Sequence, residues 1–256
     1  MRAFRAYFKK ELLENLRCAR FLIIGILFAF FGILNPLLTY ITPWMMDFLA
    51  ESLAETGMEI GKVTVNAVTS WASFFENISM LLIAFALIYG GIFTKEYGSG
   101  TLILILTKGI ARYKVVLAKA LSMLISWTFG YLVCFIVTYL GNEIFWDNSE
   151  ASGLFAATVY WWLFGVFVIS LIVLASALAR NFGIVLLYTG GGVLAFFLLG
   201  LFRFAAKYVP TALMKTTTLL LGMEKGVDYI FAAIITLVLS SAAIYGSILL
   251  FNKKQL

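Results

Sequence analysis

The 256-residue chain contains no histidine. That removes the commonest general base and the commonest transition-metal ligand. Charge is scarce as well. Asp, Glu, Lys and Arg make up 12% of the residues, against roughly 25% in a soluble domain. So few charges leave too little polar surface to cover a water-soluble globule. There are two cysteines, Cys18 in a basic leader and Cys134 inside an apolar run. They form no C-x-x-C pair and no metal pattern, and a disulfide between them is not expected. No G-x-x-x-x-G-K-[ST] phosphate loop, H-E-x-x-H or G-x-S-x-G occurs. The chain is therefore not expected to be an enzyme or to bind a metal or a cofactor directly.

What is present is mostly apolar. Hydrophobic residues make up 62% of the chain, and the mean hydropathy is +0.99. A membrane-crossing helix needs about 20 apolar residues. Six runs qualify: Phe21–Tyr40, Ile78–Phe93, Ala120–Leu140, Leu154–Leu178, Gly183–Phe202 and Ile230–Phe251. The second is short and is expected to begin near Phe74. This predicts an all-α, polytopic membrane protein with one transmembrane domain over residues 1–256. The hydroxyls within the runs, such as Ser126, Thr158, Ser170, Ser176, Ser240 and Ser241, read as helix-packing groups. No Asp, Glu, Lys or Arg lies inside a run. That weighs against a proton-coupled transporter, which needs a titratable group at depth. No filter sequence or charge ring marks a channel.

The net charge of +6 is unevenly spread. The leader, the second and fourth loops and the tail hold fourteen bases and three acids. The opposite side holds five bases and ten acids, although four of those bases crowd its last loop. This is the positive-inside pattern. It places both termini in the cytoplasm of a multi-pass plasma-membrane protein and speaks against nucleic acid as the partner. Trp44, Trp71 and Trp146 fall near predicted outer ends, as an interfacial belt requires.

The leader, residues 1–20, reads as an amphipathic elbow helix rather than a cleaved signal. Phe4, Phe8, Leu12 and Leu16 recur every four residues, with basic residues on the other arc. On the outer side, Ile41 to Asn77 has room for a small helix started by Pro43. Residues 203–229 mix Leu213, Met214 and Leu219 to Leu221 with Pro210, Gly222 and Gly226. That segment is too broken to span, and a re-entrant hairpin between the fifth and sixth helices is expected.

The loop between the second and third runs, residues 95–119, is the informative one. Glu96 is followed by Gly100–Thr101, the apolar stretch Leu102–Leu106, Gly109, Arg112 and Lys119. Leu102 to Leu106 are too few to span and fit a short helix bounded by Gly100 and Gly109. In this order of residues the chain resembles the membrane subunits of type-2 ABC exporters. Many of those have proline at the position of Gly109, and either residue breaks a helix. The resemblance implies a coupling helix that docks on a separate ABC ATPase. The residues carried over to that role are Glu96, Gly100, Thr101, Leu102, Leu104, Leu106, Gly109 and Arg112. It also implies a second permease copy or paralogue, ATP used only through the partner, and membrane lipid around the spans. Small residues at Gly190–Gly192 and at Ser241, Ala242 and Gly246 mark either the dimer surface or packing within the chain. Amphipathic or hydrophobic cargo is expected, with a peptide or toxin first and a drug or lipid-like molecule next. A non-transporting scaffold that recruits a soluble partner through the same loop is the alternative, and an ion-coupled transporter ranks below it.

Overall fold

The computed structural model describes residues 2–54, 64–215 and 217–253. Glu55, Glu59, Lys62 and Lys254 of the charge pattern lie outside them. The described helices are α1 (Arg2–Arg17), α2 (Arg20–Ala54), α3 (Ala67–Tyr89), α4 (Thr94–Gly98), α5 (Thr101–Thr107), α6 (Arg112–Phe145), α7 (Leu154–Leu178), α8 (Phe182–Leu199), α9 (Thr217–Leu220) and α10 (Ile230–Lys253). No strand occurs among the described residues. Six helices are long and apolar enough to cross a membrane: α2, α3, α6, α7, α8 and α10. The chain is an all-α, multi-pass membrane protein.

Asparagine starts two of the spans. Thr69 N donates to Asn66 Oδ1 at 3.0 Å before α3, and Ile184 N donates to Asn181 Oδ1 at 3.0 Å before α8. Each bond satisfies one of the orphan donors at a helix start. Asn66 thus begins the second span well before Phe74.

Along α2, Ile24, Phe28, Gly32 and Pro36 recur every four residues and meet α6. A Cβ on Gly130 would lie 2.6 Å from Ile24 Cγ2, and one on Gly141 would lie 2.6 Å from Pro36 Cγ. The absent side chains let the two backbones close on each other, which is how helices associate in lipid. Pro36 has no N–H, so the Gly32 carbonyl loses its helical donor. Thr138 Oγ1 of α6 donates to that carbonyl at 3.1 Å. Asn35 Nδ2 in turn donates to Thr138 Oγ1 at 3.2 Å, and Asn77 Nδ2 of α3 donates to Asn35 Oδ1 at 2.7 Å. This chain of polar groups ties three spans together where lipid offers no partner.

Three expectations change here. Pro43 does not start a separate helix, because α2 runs on to Ala54 with Pro36 and Pro43 inside it. Trp71 does not belong to an interfacial belt. It is fully buried, and its Nε1 donates to Asn148 Oδ1 at 2.9 Å, while Trp44 is exposed as a belt residue would be. The apolar stripe of α1 is only part of its packed face: Phe4 and Phe8 pack against the core. Tyr7, Glu11 and Asn15 are buried, whereas Leu13 and Leu16 are exposed.

Residues 203–229 fold as short pieces: 3-10 turns at Pro210–Met214 and Gly226–Tyr229, with the four-residue α9 between them. They pack on α3, α7, α8 and α10 and bury Leu213, Leu219 and Leu220. Ser152 N donates to Leu220 O at 3.1 Å, and Tyr160 Oη donates to Gly226 O at 2.6 Å. Tyr229 Oη donates to Lys215 O at 2.8 Å and bonds to Glu224. The result is a cap over one end of the bundle.

The core is aromatic. The buried Trp127 indole packs edge-on against Phe28 and Phe85 and faces Gly165 of α7. A Cβ there would sit 2.3 Å from Trp127 Cε2. Gly165→Ala is expected to cost about 1–3 kcal/mol through overpacking and to lower the thermal midpoint in detergent. Gly183→Ala, whose Cβ meets nothing within 4 Å, is expected to leave the midpoint in place. Equal midpoints for the two variants would contradict the packing.

Candidate functional site

The loop that carries the resemblance lies at the end of the bundle where α1 and the C-terminus of α10 also sit. After α3, turns at Gly90–Phe93 lead into α4, and a left-handed Gly100 (φ 68°) lets α5 begin. Gly109 (φ 82°) turns the chain into α6. These two positions need glycine, because an L side chain rarely adopts that backbone. Proline is not equivalent at position 109, since its ring fixes φ near −65°.

Helix α5 has two faces. Leu102 is buried, and Ile105, Leu106 and Ile110 pack partly against the core. Ile103 and Leu104 point outward, 47% and 63% exposed. Thr101 is exposed, and its hydroxyl lies 2.9 Å from that of Ser99. The eight expected site residues therefore separate by role. Leu102 and Leu106 seat the helix, Gly100 and Gly109 shape it, and Leu104 is the apolar side chain it leaves most exposed.

Glu96 turns inward. It is buried, and Lys119 Nζ lies 3.0 Å from its Oε2 and Lys10 Nζ 3.0 Å from its Oε1. Lys119 comes from α6 and is itself fully buried. It also donates to both Glu11 carboxylate oxygens, at 3.2 and 3.1 Å, and to Ile92 O at 3.4 Å. Lys10 bridges Glu11 at 3.1 Å and Glu14 at 2.6 Å. The carboxylates of Glu11, Glu14 and Glu96 converge within 4.8 Å of one another, and the two ammonium groups hold them together. The cluster binds α1, α4 and α6 into one unit.

Burial alone would raise the Glu11 pKa. The Lys119 and Lys10 charges outweigh it and hold the carboxyl below its ordinary value. Burial also works against the Lys10 ammonium, but the Glu14 bond and the Glu11 and Glu96 charges raise its pKa.

The far end of the loop is anchored separately. Arg112 Nη1 donates to Phe251 O at 2.8 Å and Asn252 O at 3.1 Å. A cation there satisfies carbonyls that the end of α10 leaves open and complements the helix dipole. Arg112 is thus an intrachain strap.

Sequence reading left Lys10, Glu11 and Lys119 out of the site. One signal was readable: Tyr7, Glu11 and Asn15 are spaced by four, one face of α1. Lys119 closes the motif of the loop and counts among its cytoplasmic charges, but nothing local shows that it is buried.

Removing one partner of a buried pair strands the other charge, at about 3–5 kcal/mol. Lys119→Met is expected to lose stability on that scale, and Lys119→Met combined with Glu11→Gln to lose less than the sum. Additive losses would show that the residues are not coupled. A carboxylate with a depressed folded pKa stabilises fully above its unfolded value, about 4.3. That contribution is lost as pH falls through the lower folded value. Acid titration of the thermal midpoint is expected to show a shallower loss for Glu11→Gln than for the natural chain. Parallel curves would refute the assignment.

A family model described as "ABC-2 family transporter protein" matches residues 5–254 of the chain. No curated protein matches it.

Proposed function

The chain belongs to the ABC-2 family of transporter proteins, and from that premise we propose that it is the permease subunit of an exporter for amphipathic or hydrophobic cargo. Family membership implies an ABC transporter with an ATPase partner. In this reading ATP is bound and hydrolysed on a separate subunit that docks on α5. The observation that carries it is the outward pair Ile103 and Leu104 on a helix seated by Leu102 and strapped at both ends. A push on α5 would pass through Glu96 and Lys119 to α1 and α6, and through Arg112 to α10.

The positive-inside charge pattern supports this end as cytoplasmic, in the plasma membrane. A second copy or paralogue would cover α8. Among its residues only Val185 and Thr189 are buried, and a Cβ on Gly190 or Gly191 would meet nothing within 4 Å. Gly192 and Gly246 instead face Leu171 and Leu174 of α7, as packing within the chain. Beside that open face lies a cavity of about 470 Å³ lined by Leu82, Trp161, Phe164, Val168 and Phe197. Its apolar walls suit a peptide with a hydrophobic face first, and a drug or lipid-like molecule next. The cap over 203–229 would close the outer end of the path, in the place of the expected re-entrant hairpin.

Purified alone in lipid, the chain is expected to hydrolyse no ATP, and co-expressed with its ATPase to give an active complex. Leu104→Glu is expected to cut co-purification of the ATPase at least tenfold while the thermal midpoint stays put. Full retention of the partner and of activity would sink α5 as the docking element. Failure to associate with any ATPase would favour the scaffold reading.

A further inference from the structure

A second site lies on the face formed by α1, α6, α7 and α10, away from α8 and its cavity. At the terminus-bearing end a pocket of about 430 Å³ is lined by Phe4 and Arg5 of α1 and by Tyr113, Lys114 and Leu117 of α6. Neither Arg5 nor Lys114 forms a salt bridge among the described residues. Lys114 Nζ sits 5.7 Å from the Tyr113 ring, and the start of α6 is not capped by any side chain. The mouth therefore combines two cations, a phenol and the positive end of a 34-residue helix. It attracts an anion.

Leu117 also lines a second pocket, of about 400 Å³. This slot runs along α6 through Leu121 and Leu124, and its other walls include Ile169 of α7 and Leu237 and Ile248 of α10. From Leu117 to Leu124 is two turns, about 10 Å of helix rise. Two of its four hydroxyls turn back on the chain, Ser170 donating to Phe167 O and Ser240 to Thr236 O, while Ser241 and Tyr245 also line it. A basic mouth at the helix ends thus opens beside an apolar slot that descends into the span.

We propose that this composite groove binds an anionic glycerophospholipid from the leaflet at the terminus-bearing end. Its phosphate lies on Arg5 and Lys114, and one acyl chain lies in the slot. Basic pockets between membrane helices recognise anionic headgroups in this way, and the slot gives the chain a reason to stay. The lipid would bridge α1 to α6 and α10 about two turns of α1 before Glu11 of the Lys119 cluster. The proposal does not rest on the cargo or the direction of transport.

The test is native mass spectrometry of the delipidated full chain with phosphatidylglycerol or phosphatidylcholine added at equal concentration. The natural chain is expected to retain phosphatidylglycerol at least fivefold better. Arg5→Gln combined with Lys114→Gln is expected to abolish that preference, while Lys207→Gln, a cation outside the groove, keeps it. Leu124→Trp fills the slot and is expected to reduce phosphatidylglycerol retention with the basic mouth intact, which keeps the proposal testable if the double variant fails to fold. Equal retention of the two lipids by the natural chain would overturn the proposal, as would an unchanged preference in the folded double variant. Unaltered retention by Leu124→Trp would also overturn it. Displacement of the lipid by glycerol phosphate at matched concentration would identify a free-phosphate site instead and would equally overturn it.

Discussion

The arrangement of this bundle depends on one ammonium group with no access to solvent. Lys119 is fully buried, and an isolated charge in that position would be several kcal/mol too costly to keep. It is tolerated because Glu11 and Glu96 reach it from two other helices at about hydrogen-bond distance. The requirement runs both ways. Those carboxylates are buried too, and each needs the lysine as much as the lysine needs them. Helix α1, which has no span of its own, is thereby fixed against α6, and the loop after α3 is fixed against both. Between the cluster and Arg112 lies α5.

Elsewhere the polar bookkeeping follows from lipid as the solvent. Hydroxyls in the spans mostly turn back on their own helices: Ser126 to Ser122 O, Ser176 to Ile172 O, Thr189 to Val185 O and Thr236 to Ala232 O. They present methylene and methyl surface to their neighbours and satisfy their own donors within the helix, while Ser70 Oγ of α3 is buried without such a bond. Thr138 is different because Pro36 has freed a carbonyl on α2. Its hydroxyl serves the neighbouring helix, and Asn35 and Asn77 extend the link to α3. A proline that would weaken an isolated helix becomes a connector between helices.

The spans were legible because twenty apolar residues in a row have few other uses. The short α5 was legible because its bounding glycines stand out against an apolar stretch. What escaped depends on partners distant in sequence. Pro43 lies inside α2, which runs on to Ala54, and no local residue marks that continuation. Trp71 could be assigned to an interface only by ignoring Asn148, which lies far along the chain and binds its indole nitrogen. Glu11 was the hardest case. An acid in a basic leader reads as solvated, and its real environment requires Lys119, 108 residues away. A still longer separation, 139 residues, hid the bond from Arg112 to the end of α10.

The surfaces left open divide the labour further. Around α8 the exposed backbone is bare at Gly190 and Gly191, with no charge nearby on that helix, and a second helix can approach closely there. Between α1, α6 and α10 the open surface is basic at its mouth and apolar below, and no glycine seam lines it. Close helix contact suits the first surface, and a molecule with a charged head and a flexible tail suits the second. Both surfaces connect through packed helices to the Lys119 cluster, one by way of α7 and α6 and the other through α1 directly. A displacement of α5 relayed by that cluster would therefore reach the lipid-facing side through fewer packed interfaces than the α8 side. In the proposed coupling, the anchoring of α1 would set how much of a displacement of α5 reaches the spans.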